Sequence, residues 1–170
     1  MDPHAEAIAA AIAGDRLALA LFVRDTQADV WRYCHHVGVG HDTDDLVQET
    51  YVRALRSLHR YEGRAPAKAW LLAIARRVCA DSVRSARRRR ILDALLVRDL
   101  AHDDPAEHLA VRTLIAQLTP DRREPFVLTQ IIGMSYAETA TALGVPIGTV
   151  RSRVARARDD LHRQLNQAAG

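Results

Sequence analysis

Apolar residues recur at three- and four-residue spacing along most of this 170-residue chain, while strand-type alternation is scarce, so the pattern predicts helices throughout. The first is predicted over roughly Asp15 to Val37. Leu19, Phe22, Val23, Val30, Tyr33 and Val37 form its inward stripe, and Gly38 and Gly40 end it. Asp42 or Thr43 caps the next, with Asp44 and Asp45 in a first turn that favours negative charge. Its inward face is Leu46, Val47, Thr50, Tyr51, Ala54, Leu55 and Leu58. A loop from His59 to Ala67, with Gly63 and Pro66 as turn formers, precedes a third helix from about Lys68 to Arg88. That helix buries Leu71, Ile74, Ala75 and Val78 and runs into Arg87, Arg88, Arg89 and Arg90.

The pattern changes after Arg90. The stretch 91–108 carries Asp93, Asp99, Asp103, Asp104, Pro105 and Glu107 and reads as a flexible acidic linker. The expected architecture is therefore all-α, with small helical domains over 1–90 and 109–170 on either side of it. The second opens with a helix bearing Leu109, Leu114, Ile115 and Leu118, and Thr119-Pro120 starts another as cap and first position. Pro125 should bend that helix or loosen one turn, and Gly133 closes it. Ser135 and Glu138 stand at capping-box spacing before the short helix Tyr136 to Leu143. Gly144 stops this helix and Pro146 sets up the last, whose apolar stripe is Val150, Val154, Ala157, Leu161 and Leu165. Two helices joined by a short Gly-containing turn make a helix-turn-helix, a device that places its second helix in the DNA major groove. The face opposite the stripe carries Arg151, Ser152, Arg153, Ala155, Arg156 and Arg158.

Charge sharpens this picture. The formal net charge is only +3, but Lys68 is the single lysine and the other 23 basic residues are arginine. Arginine's planar, permanently charged fork suits phosphates and base edges. Cys34 and Cys79 read as ordinary buried thiols and supply neither a disulfide framework nor a zinc site with His35, His36 and His41. No apolar run reaches membrane-spanning length, and Asp2, Glu6 and Asp15 stand where a secretory signal would be basic. The expectation is a cytoplasmic protein that is not inserted in a membrane, with no metal and no cofactor. Catalysis is not expected either, because Ser57, Ser135 and Ser152 have structural explanations and the linker carboxylates lack a rigid scaffold.

Several segments, taken in order, resemble one family. They are Asp44-Asp45-Leu46-Val47-Gln48-Glu49-Thr50 with Tyr51 and Ala54, then Arg60-Tyr61-Glu62-Gly63, then Ala69-Trp70-Leu71-Leu72-Ala73-Ile74-Ala75-Arg76. After the arginine run come Leu118-Thr119-Pro120, Arg123-Glu124, Ser135-Tyr136 and Gly148-Thr149-Val150-Arg151-Ser152-Arg153. The chain from about Asp15 to Leu165 resembles an extracytoplasmic-function (ECF) sigma factor of the sigma-70 superfamily. The resemblance implies a bacterial transcription initiation factor that binds core RNA polymerase and reads the minus-10 and minus-35 promoter elements.

It also assigns roles. Asp44, Asp45, Gln48 and Glu49 would dock on the clamp helices of the polymerase largest subunit, where charge complementarity speeds encounter and fixes register. Tyr61 and Trp70 would supply rings for unstacked minus-10 bases, most of the Trp70 ring being packed in the core. Arg64, Lys68, Arg76, Arg77 and Arg84 would supply charge for the single strand, as would the Arg87–Arg90 cluster. Arg77 stands where many relatives carry asparagine. Arg151 and Ser152 would meet minus-35 base edges, Ala155 a thymine methyl, and Arg153, Arg156 and Arg158 the phosphates. The surface near Arg122 and Arg123 would face the polymerase flap or an activator, and an anti-sigma factor is an expected partner. A simple helix-turn-helix regulator would explain Ser135 to Leu165 but nothing between Asp44 and Arg90. A DNA-processing enzyme or a pure interaction bundle fits less.

Overall fold

The computed structural model describes residues 2–92 and 106–168, and these are helical with no strand among them. The N-terminal half consists of α1 (Pro3–Ile12), α2 (Arg16–Val37), α3 (Thr43–Ser57), a 3-10 turn (Leu58–Arg60) and α4 (Ala67–Leu92). The sequence pattern had assigned no helix ahead of Asp15. Yet Asp2 caps α1 by accepting from the His4 amide at 3.0 Å, and Pro3 opens it. The other Asp2 carboxylate oxygen accepts from the Ala67 amide at 2.7 Å, so one side chain ties the starts of α1 and α4 together. Ile8 is fully buried and holds α1 on the bundle.

Asp15 caps α2 through the Leu17 and Ala18 amides. At the α3 start the cap is Asp42, which accepts from the Asp44 and Asp45 amides, while Thr43 is the first helical residue. The α2–α3 corner is tight. A Cβ built on Gly38 would lie 2.2 Å from Leu46 Cδ1 and 2.7 Å from the Cys34 carbonyl oxygen, so only glycine fits. Phe22, Val30, Tyr33, Cys34, Leu46, Ala54, Leu71, Leu72, Ala75 and Val78 form the core of this half. Leu55, expected inside, is 45% exposed, because it falls beyond the edge of the face that α3 presents to α2 and α4.

The C-terminal half comprises α5 (Ala106–Gln117), α6 (Pro120–Phe126), a π turn (Val127–Ile131), α7 (Tyr136–Leu143) and α8 (Ile147–Ala168). Pro125 has the loosening effect expected of it. The α-helix stops at Phe126 and the ladder widens, the Ile132 amide reaching back to the Val127 carbonyl at 3.0 Å. Thr119 occupies the cap position of α6, but its hydroxyl donates to the Asp121 carboxylate instead of accepting from a backbone amide. Val150, Val154 and Ala157 of α8 are buried as the stripe requires, whereas Leu165 is 49% exposed near the end of the helix, past its packing partners. The expected linker 91–108 falls largely outside the described residues, as do the side chains of the Arg87–Arg90 run.

The halves pack together. α7 lies against α4, and the π turn lies against α2. Ile115, Val127, Leu128, Ile132, Met134, Ala142 and Leu143 join the N-terminal core in one continuous apolar cluster.

Candidate polymerase and promoter interfaces

The acidic edge of α3 is set out by its cap. Asp44, Asp45 and Gln48 are exposed, and Glu49 is half-buried. Asp44 accepts a hydrogen bond from the Trp31 indole N–H at 3.2 Å. Glu49 accepts from Arg53 Nε at 2.6 Å, and the same guanidinium donates to Asp81 on α4, also at 2.6 Å. Asp81 further takes Arg84 at 2.5 Å, and the two arginines, Arg53 first, hold its carboxyl below the usual range. Asp45 and Gln48 make no side-chain hydrogen bond among the described residues. They are the members of the predicted docking set free to meet a partner.

The loop before α4 builds a cavity of about 250 Å³ lined by Arg60, Tyr61, Glu62, Arg64, Ala65 and Trp70. The Tyr61 and Trp70 rings are 5.3 Å apart and tilted by 54°. The Tyr61 hydroxyl donates to the Ala65 carbonyl at 2.7 Å, which closes the loop on itself and fixes the ring. Burial, then the nearby Asp2 charge, raises the Tyr61 hydroxyl pKa, so it stays a neutral donor. Arg64 pairs with Glu62 at the rim. Trp70 packs partly against the core, as its position suggested.

Other predicted minus-10 residues are spread along α4. Lys68 and Arg84 lie 16 positions apart on one helix, about 24 Å at 1.5 Å per residue, so they cannot share one base site. Lys68 pairs with Asp29 on α2 at 2.5 Å. Arg76 pairs with Glu124 of the C-terminal half at 2.8 Å. Arg84 is taken by Asp81, while Arg77 is exposed with no partner among the described residues. The sequence reading missed Asp29, Asp81 and Glu124, the carboxylates that occupy these cations. Asp81 stands at the i,i+3 helix spacing that favours pairing with Arg84, whereas the Lys68–Asp29 and Arg76–Glu124 separations in the chain carry no such signal.

In the helix-turn-helix, Ser135 and Glu138 form the expected capping box, with amide contacts of 3.1 and 2.8 Å, and Gly144 turns left-handed at φ 67°. This aims α8 outward. Arg151, Ser152, Ala155 and Arg156 are exposed together. Arg153 is half-buried, near enough to Asp121 to help lower its pKa after the Thr119 hydroxyl. Arg158 is exposed and donates to the Gln130 side chain at 2.7 Å. Arg122 pairs with Asp160 on α8, and Arg123 donates to the Ile115 carbonyl at 3.2 Å and the Leu118 carbonyl at 2.7 Å, closing the end of α5. Both side chains are bonded inside the domain.

Cys34 and Cys79 are free and buried, and a hydrogen bond with Cys34 followed by burial pushes the Cys79 thiol far up, which keeps it protonated. Among the described residues no three His, Cys, Asp or Glu side chains cluster as a metal site, and no helix is long and apolar enough to cross a membrane.

Comparison with known proteins agrees with this layout. Residues 22–89 match the family model for sigma-70 region 2, and residues 108–161 match that for sigma-70 region 4. The ECF RNA polymerase sigma factor SigC of Mycobacterium tuberculosis is 44% identical over 154 residues, covering 87% of this chain and 83% of the relative. The structure of CnrH in complex with the cytosolic domain of CnrY aligns with a TM-score of 0.80 at 29% identity, covering 98% of this chain and 99% of that one. The sigma factor RpoE from Bartonella quintana, solved with the anti-sigma factor NepR, aligns at 0.73 and 26% identity over 85% of this chain and 96% of that one. The chain belongs to the ECF sigma factors of the sigma-70 superfamily. It is a non-enzymatic alternative sigma factor that directs RNA polymerase to promoters.

Proposed function

We propose that three surfaces divide this work, within a region 2 domain over 1–90 and a region 4 domain over 109–170, joined through 91–108. The acidic edge of α3, with Asp44, Asp45, Gln48 and Glu49, docks on the clamp helices of core polymerase in the cytoplasm. Tyr61, Trp70 and Arg64 hold a minus-10 base lifted from the stack, while Lys68, Arg76, Arg77 and Arg84 follow the phosphates of the exposed strand. Arg151, Ser152 and Ala155 read minus-35 base edges, and Arg153, Arg156 and Arg158 hold the duplex backbone. The observation that carries this reading is the pairing, on one chain, of an aromatic-walled cavity with a separately exposed arginine face on α8.

An anti-sigma partner fits the same frame. CnrH was solved with the cytosolic domain of CnrY, and RpoE with the anti-sigma factor NepR. The test is in vitro transcription with purified core polymerase and promoters from the source genome. Specific initiation, lost with Arg151→Ala or with Asp45→Arg plus Gln48→Ala, supports the reading. Binding to DNA by the protein alone, with no polymerase-dependent initiation, favours a conventional helix-turn-helix regulator instead.

A further inference from the structure

Trp31 is the large aromatic most exposed among the described residues, and the core does not use it. It is 40% exposed and stands apart from the apolar cluster, whereas Trp70 packs against that cluster. It is nevertheless rigid. One face of the indole stacks on His35, with ring centroids 4.5 Å apart and planes 15° from parallel. Its N–H is bonded to Asp44 Oδ1 at 3.2 Å. His35 is itself buried and meets His36 edge-on at 5.2 Å. An indole held on one face and at its nitrogen presents its other face to a partner without losing rotamer freedom on binding.

The surroundings say what that partner offers. Asp44 touches the ring, Asp45 follows it, and Gln48 lies one turn on, all exposed on α3. An electron-rich ring face bordered by the Asp44 carboxylate is matched by a planar cation, which can stack on the indole while donating to that carboxylate. Aromatic anchors of this kind, central and pre-set, carry a disproportionate share of interface energy.

We infer that Trp31 is the aromatic anchor of the polymerase-docking face and that, with Asp44 and Asp45, it seats an arginine side chain of core RNA polymerase. This rests on the reading that the acidic edge of α3 docks core polymerase. It gives Asp44 a second role, holding the ring as well as supplying charge.

The test uses the full chain, labelled at its N-terminus, titrated with purified core RNA polymerase and read by fluorescence anisotropy, with thermal melting as control. Trp31→Ala is expected to weaken core binding about tenfold or more with little change in melting. Trp31→Phe, which keeps a ring, is expected to recover most of that loss. Unchanged affinity in Trp31→Ala, with affinity lost in Asp45→Arg plus Gln48→Ala, overturns the anchor and leaves the docking reading standing. Unchanged affinity in all of these variants removes both. If Trp31→Ala does not fold, a photoreactive benzoyl-phenylalanine at position 31 decides: an adduct with a polymerase subunit supports the anchor, and its absence overturns it.

Discussion

Arg76 of α4 and Glu124 of α6 meet at 2.8 Å and join the two halves of the molecule through a pair of opposite charges. Glu124 is mostly shielded, at 18% side-chain exposure, while Arg76 keeps 43%. The Glu124 hydrogen bond raises the Arg76 pKa, and Tyr33, fully buried nearby with its hydroxyl unpartnered, feels the Glu124 charge after desolvation. In this arrangement a cation proposed for the minus-10 strand is paired with the C-terminal half. Glu124→Arg should therefore loosen the contact between the halves, which the apolar cluster still holds together, and raise slightly the radius of gyration measured by small-angle scattering. The exchange Arg76→Glu with Glu124→Arg should restore the compact value. The effect on global stability should be small, about 1 kcal/mol or less, as for other partly exposed ion pairs.

Gly38 tests the corner that presents α3. An added methyl would meet Leu46 Cδ1 and the Cys34 carbonyl well inside contact distance, and the carbonyl cannot retreat without moving α2. Gly38→Ala is expected to cost about 1–3 kcal/mol, read as a shift in the denaturant midpoint at unchanged slope.

The helices from Arg16 onward were legible because their apolar spacing and caps agree, and so was the helix-turn-helix, whose capping box and left-handed Gly144 follow from local chemistry. The α1 helix was missed although Asp2-Pro3 is a start signal, because Ala-rich periodicity over Pro3–Ile12 is weak. Periodicity also placed Leu55 and Leu165 inside, since it reports a face and not where the partner element ends. Tyr61 and Trp70 were recognisable as a pair of rings, but their tilt and the Ala65 contact depend on how the loop closes. Arg76–Glu124 and Trp31–Asp44 were invisible, being long-range side-chain meetings set by tertiary packing.

Acid should act on the helix-turn-helix through Glu138. The Ser135 hydroxyl, then the Ser135 backbone amide, holds its carboxyl below the ordinary 4.5. A carboxyl with a depressed folded-state pKa contributes stability that is complete above its unfolded value and is lost as pH falls through the folded one. Stability should thus be flat above about pH 5 on this account and decline below 4.5. Glu138→Gln should remove that part of the acid slope while keeping an acceptor for the Ser135 amide. Ser135→Ala should cost about 0.5–2 kcal/mol at neutral pH. Both are read by denaturation across a pH series.

The face of α8 separates two kinds of contact that binding data can distinguish. Arg151 and Ser152 are exposed near the start of the helix, where a recognition helix meets base edges, and Ser152 is short and bonded back to the Thr149 carbonyl at 3.0 Å. Arg156 is exposed over a turn further along, where the backbone is the nearer target. Arg158 is steered by Gln130 and should hold a fixed phosphate. With reconstituted holoenzyme on promoters varied through the minus-35 element, Arg151→Ala should flatten discrimination at one position by about 1–3 kcal/mol while changing the salt dependence little. Arg156→Ala should weaken all of those promoters alike and lower the slope of log affinity against log salt by about 1. A uniform loss with Arg151→Ala would turn that arginine into a phosphate contact and move base reading to Ser152 and Ala155.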